Sequence, residues 1–219
     1  VSSSSAPART GGSKTGGLPS PPPIAPERRL SPGQWGIIAF LCSEVAFFST
    51  LIVTYLVYFG RDSQPGGMGG PTPLAALSLP LVFGTTICLL SSSLTVHLAD
   101  RALRRDNRSA FLLLWLATIV LGSLFLLGTA HEWNDLIGRQ HLTISRNLFG
   151  TTFYTLVGFH AFHVTVGVIV MLIVLALALR ARLAENQRAG VELVSWYWHF
   201  VDGVWIVVLT VVYLLPHMT

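Results

Sequence analysis

The chain has 219 residues, of which 52% are hydrophobic and only 11% charged, and its mean hydropathy is +0.61. A soluble domain carries about 25% charged residues. This chain therefore lacks the charge to cover a water-facing surface, and an integral membrane protein is the first expectation. The formal net charge of +4 does not call for nucleic acid, because its distribution along the chain has a simpler use.

Residues 1–33 are rich in Ser, Pro and Gly and poor in large apolar residues. Such a segment cannot bury a core, so it is expected to be a disordered or loosely ordered tail. Before Pro32 there is no apolar stretch of signal-peptide length. Residues 34–219 form the expected membrane domain. Five apolar runs follow one another there, at about 35–59, 74–98, 110–130, 148–179 and 193–215. A helix crosses the hydrocarbon with roughly 20 apolar residues at about 1.5 Å each, and every run is that long. The fourth is longer than needed and is expected to tilt or extend past the bilayer. Pro80 lies inside the second run, where a kink is tolerable if neighbours satisfy the freed carbonyl. Trp35, Trp133 and Trp196 lie near the expected interfaces. The loop at 60–73, "GRDSQPGGMGGPTP", is expected to be irregular.

Eleven of the fourteen Lys and Arg residues fall in the tail and in the loops around 101–108 and 180–188, leaving Arg61, Arg139 and Arg146 in the alternate segments. The positive-inside rule then puts the amino terminus in the cytoplasm and the carboxyl terminus outside. The expected fold is an all-α integral membrane bundle of five transmembrane helices.

A charge at the centre of a span costs about 2.5–3.5 kcal/mol, so polar residues at that depth should face protein. Glu44, in "FLCSEVAFF", lies roughly 13 Å from the start of its run. His160 and His163, in "GFHAFHV", are spaced for one helix face. His199 and Asp202, in "WYWHFVDGVW", continue a polar stripe from Glu192 and Ser195. Depth counting places Glu44, His160, His163 and Asp202 near one level and suggests a shared buried cluster, with His199 on the same face as Asp202. Two roles are open for it, helix packing with lipid binding or support of proton movement. "HEWND", at 131–135, follows the third run. His131, Glu132 and Trp133 are expected there as a helix-end motif within reach of water. His97 lies near the inner interface and is a candidate contact for lipid head groups. The second run, "TTICLLSSSLTVHLA", offers a hydroxyl-bearing surface for close helix approach.

No catalytic or metal site is expected. Cys42 and Cys88 lie in separate runs and form no CxxC. The two imidazoles of HxxH fall short of the four ligands of a closed zinc site. There is no CxxxC pair for a binuclear copper centre, and no GxSxG, Walker loop or HExxH.

In their order along the chain, "FLCSEVAFF", "LLSSSLTVHLA", "LGSLFLLGTAHEW", "LFGTTFYTLVGFHAFHVTVG" and "YWHFVDGVW" resemble the motifs of subunit III of the haem–copper respiratory oxidases, particularly the bacterial cytochrome c oxidases in their five-helix form. The resemblance runs from about Gln34 to Leu215. Many members have two further helices at the amino end, and a Gln often found in the third motif is Thr129 here. The resemblance implies a non-catalytic subunit that binds no haem or copper itself, these being expected in neighbouring subunits. It implies packing on oxidase subunits I and II, structural phospholipid, and support of proton uptake, with Glu44, His160, His163, His199 and Asp202 as the matching polar positions. It also implies residence in a bacterial cell (inner) membrane. Contacts with other respiratory complexes stay open, and no nucleic acid is expected. Two other readings stay open: the equivalent subunit of a quinol oxidase, and an independent membrane ion transporter.

Overall fold

The computed structural model describes residues 30–63, 79–139, 141–180 and 185–218. All the extended elements among them are helices. The first, α1, spans Pro32–Tyr58. Its start follows from three adjacent residues. Ser31 Oγ accepts from the Gln34 amide, Gln34 Oε1 accepts from the Ser31 amide, and Pro32 occupies the first turn. This capping box satisfies two donors that a helix start leaves orphaned. The helix therefore opens three residues before the boundary expected from hydropathy. Most of the tail expected to be disordered lies outside the described residues, as does the loop at 60–73 beyond Ser63.

Helix α2 spans Leu79–Arg104, α3 spans Arg108–Gly138, and α4 spans Leu148–Arg180. Pro80 is the second residue described in α2, so the expected kink falls at the edge of an undescribed stretch. Helix α5 begins at Glu185 and runs regularly to Val208. It then widens into a π turn at Leu209–Leu214 and tightens into a 3₁₀ turn at Leu215–His217, where Pro216 cannot donate to the ladder. Among the described residues, five helices are long and apolar enough to cross a membrane, the last counted as Arg188–His217. Helix α3 runs eight residues past its expected end, because "HEWND" continues the helix.

Polar side chains close the helix ends. Asn107 Oδ1 accepts from the Ala110 amide at the start of α3. Asp62, on a 3₁₀ turn after α1, accepts from the Leu148 and Phe149 amides at 3.2 and 2.8 Å. A carboxylate from one element thus caps the positive end of another. At the opposite end of the same helix, Arg108 donates to the Ala178 carbonyl at 2.7 Å.

The bundle closes around three buried tryptophans. Trp198 on α5 donates its indole N–H to Ser92 on α2, Trp205 on α5 donates to Thr86 on α2, and Trp115 on α3 donates to the Met171 carbonyl on α4. Hydrocarbon offers an indole N–H no acceptor, so each of these bonds favours one packing over others. The Trp198 ring fits because two facing positions lack side chains. A Cβ on Gly122 of α3 would sit 2.8 Å from the ring, and one on Gly167 of α4 would sit 2.7 Å from it. A Cβ on Gly128 of α3 would likewise collide with Thr85 of α2.

This packing yields a prediction. Gly122→Ala and Gly167→Ala each force a methyl group against a fully buried indole, and should destabilise the bundle by about 1–3 kcal/mol. Gly203→Ala, where a Cβ meets nothing within 4 Å, should be near neutral. Thermal unfolding of the three variants in one detergent compares them directly.

Candidate functional site

The polar residues expected in one buried cluster occupy three separate places. The first lies between α1 and α4. His163 Nε2 is 3.1 Å from Glu44 Oε2, and His163 Nδ1 is 2.7 Å from the Phe159 carbonyl. A carbonyl only accepts, so Nδ1 carries a hydrogen. One more proton is then shared between Nε2 and Oε2. The pair is either carboxylic acid with neutral imidazole or carboxylate with imidazolium, and is uncharged in sum either way. Tyr197 donates its hydroxyl to the His163 carbonyl at 3.0 Å, and Phe48 meets the imidazole edge-on at 5.0 Å. An otherwise apolar groove of about 420 Å³ opens beside the pair, lined in part by Ile37, Phe40, Phe162 and Leu193.

The second place holds His160 alone. It is fully buried, and neither ring nitrogen has a hydrogen-bond partner among the described residues. The ring stacks on Trp205 at 4.9 Å and meets Phe125 edge-on at 5.8 Å. His160 and His163, expected on one helix face within a shared cluster, thus have different neighbours. Residues three apart on a helix differ by about 60° around its axis. That offset suffices to turn His163 to α1 and His160 to α3 and α5.

The third place lies between α2 and α5, with Ser93 as its hub. Ser93 Oγ donates to the Asp202 carboxylate and lies 3.0 Å from His199 Nδ1. Asp202 is buried, and its Oδ1 has no partner among the described residues. His199 is exposed, and the His97 ring, also exposed, lies 6.4 Å from it. Further toward the arginine-bearing end, Arg104 of α2 pairs with Asp100 at 2.9 Å and with Glu192 of α5 at 3.3 Å. Ser195 is buried and returns its hydroxyl to its own helix, donating to the Val191 carbonyl.

The expectation for "HEWND" also needs correction. Glu132 is buried at 5% exposure and does not reach water as expected. It accepts from the Tyr213 hydroxyl at 2.9 Å, a bond that reaches α3 from the π turn of α5. Trp133 packs edge-on against Tyr154, while His131 is exposed and lies 3.9 Å from Asp135. Thr129, at the position where the resemblance leads one to look for Gln, donates to the Phe125 carbonyl of its own helix. Cys42 and Cys88 are free thiols. Among the described residues, no group of three or more His, Cys, Asp or Glu is placed to hold a metal ion.

Among the described residues, five long apolar helices bridged by buried polar contacts define a polytopic, all-α membrane protein. A family model for cytochrome c oxidase subunit III matches residues 30–216. A cytochrome c oxidase subunit 3 from Synechocystis is 38% identical over 187 residues, covering 83% of this chain and 75% of that one. A probable cytochrome c oxidase subunit 3 from Mycobacterium tuberculosis is 34% identical over 178 residues, covering 81% and 85%. The subunit 3 of Syncerus caffer is 34% identical over 184 residues, covering 82% and 68%. The chain belongs to the cytochrome c oxidase subunit III family.

Sequence reasoning missed Tyr213, Tyr197 and Asp62 as partners of polar groups, and read Ser93 only as a packing hydroxyl. Tyr213→Phe should remove the bond to Glu132 at little cost in volume. The expected loss is about 0.6–1.7 kcal/mol, measured as a lowered unfolding midpoint in detergent. An unchanged midpoint would mean that the bond does not hold α5 against α3.

Proposed function

We propose that this chain is the non-catalytic subunit III of a proton-translocating cytochrome c oxidase, seated against subunits I and II, whose haem and copper centres reduce dioxygen. The observation that carries this reading is the family match over residues 30–216, which spans all five long apolar helices. The matched relatives are named for cytochrome c oxidase, which favours cytochrome c over quinol as the electron donor of the complex.

In this reading the amino terminus faces the cytoplasm, the carboxyl terminus faces outward, and the membrane is the bacterial cell membrane. The arginine-rich turns between α2 and α3 and between α4 and α5 then lie on the cytoplasmic side, as the excess of Lys and Arg there supports. The groove beside Glu44 and His163 suits a phospholipid acyl chain, since its walls are apolar apart from that pair. His97 is exposed near the cytoplasmic end of α2 and could meet head groups.

The polar contacts have two assignable roles. Asp202 with Ser93 and Glu132 with Tyr213 bridge helices and fix their packing. The Glu44–His163 pair can pass one proton between its two partners without gaining net charge. Such a pair can support proton uptake by the neighbouring subunit without itself carrying out electron transfer.

The two roles separate by mutation. In the assembled oxidase, Glu44→Gln keeps the side-chain volume but removes the ionisable carboxyl group. It should slow proton uptake during turnover while leaving the subunit bound. Asp202→Asn should mainly reduce retention of the subunit in the complex. Proton uptake measured in reconstituted vesicles, beside subunit content on gels, tests both. Unchanged uptake in Glu44→Gln would leave that pair a packing role only.

A further inference from the structure

A ladder of polar groups runs along the seam between α2 and α5. It starts at the arginine-bearing end, where Arg104 pairs with Asp100 at 2.9 Å and with Glu192 at 3.3 Å. His97 lies two turns from Arg104 and His199 two turns from Glu192, about 10 Å along each helix, so the two rings share a level. Both are exposed, and their centroids are 6.4 Å apart. This is the level given above to lipid head groups, where water is present. One turn deeper, Asp202 is only 3% exposed, and its Oδ1 has no partner among the described residues. Ser93 joins the two levels. Its Oγ lies 3.0 Å from His199 Nδ1 and donates to the Asp202 carboxylate. The titratable groups beside the ladder are His97 and the Asp100–Arg104–Glu192 ion pairs. Elsewhere Glu44 and His163 pair between α1 and α4, and Glu132 of α3 is met by Tyr213.

We infer that Asp202 is a proton-exchange site, supplied from the aqueous end of α2 and α5 through His199 and Ser93. The direction of the bonds sets the order of transfer. The hydroxyl hydrogen of Ser93 goes to Asp202, so its oxygen accepts from Nδ1–H of His199. Nε2 of the neutral ring is then an acceptor on an exposed side chain. A proton taken from water at Nε2 makes the ring cationic. Nδ1 gives its hydrogen to Ser93 Oγ as Ser93 gives its own to the Asp202 carboxylate. The Nδ1–H bond and the original Ser93 O–H bond break. One O–H bond forms at Ser93 and one at Asp202, and the ring is neutral again with its hydrogen on Nε2. The delivered proton neutralises a carboxylate inside the bundle, where charge is costly. The reverse sequence returns it to water. That this water is cytoplasmic rests on the orientation in the preceding section, whereas the relay rests on the contacts themselves.

The test is time-resolved infrared spectroscopy of the purified full chain in lipid discs. The chain has ten Asp and Glu residues in all, few enough for the Asp202 band to be assigned as the one missing from Asp202→Asn. After a rapid drop in pH, the protonated-carboxyl band of Asp202 should rise quickly in the unmodified chain. It should rise roughly a hundredfold more slowly in Ser93→Ala and in His199→Phe. Ser93→Thr keeps the hydroxyl and should restore the fast rise, which a packing role alone would not do. Ser195→Ala removes a hydroxyl that donates within its own helix, and should leave the rate unchanged. Equal rates in the unmodified chain, Ser93→Ala and His199→Phe overturn the inference, as does the lack of any such band in the unmodified chain. Either result leaves the oxidase reading standing. A chain that joins no haem-bearing complex overturns the oxidase reading and leaves the relay standing.

Discussion

The fold depends on the placement of the Trp198 indole. The ring lies between Gly122 of α3 and Gly167 of α4, and its N–H is spent on Ser92 of α2. One side chain on α5 thereby fixes the distance and rotation of three other helices. In water, burial of apolar surface would hold such a bundle together. In lipid that driving force is largely absent between helices, and close packing with hydrogen bonds replaces it. Small residues opposite a large aromatic, with its one polar atom satisfied, supply both terms at once. Trp205 on Thr86 repeats the device two turns along α5.

Once α5 is fixed in this way, the positions of the polar groups follow. The turn that directs Trp198 inward leaves His199 outward and brings Asp202 to Ser93. Continuing along α5, the π turn displaces the helix face enough to carry Tyr213 to Glu132. A regular helix through the same residues would present a different side chain there, which gives the π turn a structural purpose. The polar groups of the chain are thus distributed by one packing decision among internal pairing, burial without a partner, and exposure on one face.

The architecture was legible in the sequence because length and hydropathy alone distinguish a spanning helix. The arrangement around each helix axis was less so. Counting residues places Glu44, His160, His163 and Asp202 near one depth, but depth along an axis does not determine direction around it. Hence the expected single cluster resolves into separate places, and His160 stacks on Trp205 away from His163. The burial of Glu132 was within reach. Thr118, Gly122, Phe125, Thr129, Glu132 and Leu136 are all buried on α3 and recur every three or four residues, so continuing that period past residue 130 would have placed the carboxylate inside. Ser93 was not within reach, because one serine among three in a row carries no signal of which one faces a partner.

In the proposed function the chain is a subunit without a redox centre of its own, held in an oxidase by its packing surfaces. Affinity isolation through this chain in a mild detergent, followed by an absorption spectrum before and after the complex is dissociated, tests that claim most directly. The intact preparation should show haem bands and contain oxidase subunits I and II. The dissociated chain should then show none of those bands while keeping its helical content. Haem bands that stay with the isolated chain, or an intact preparation without haem, would contradict the account.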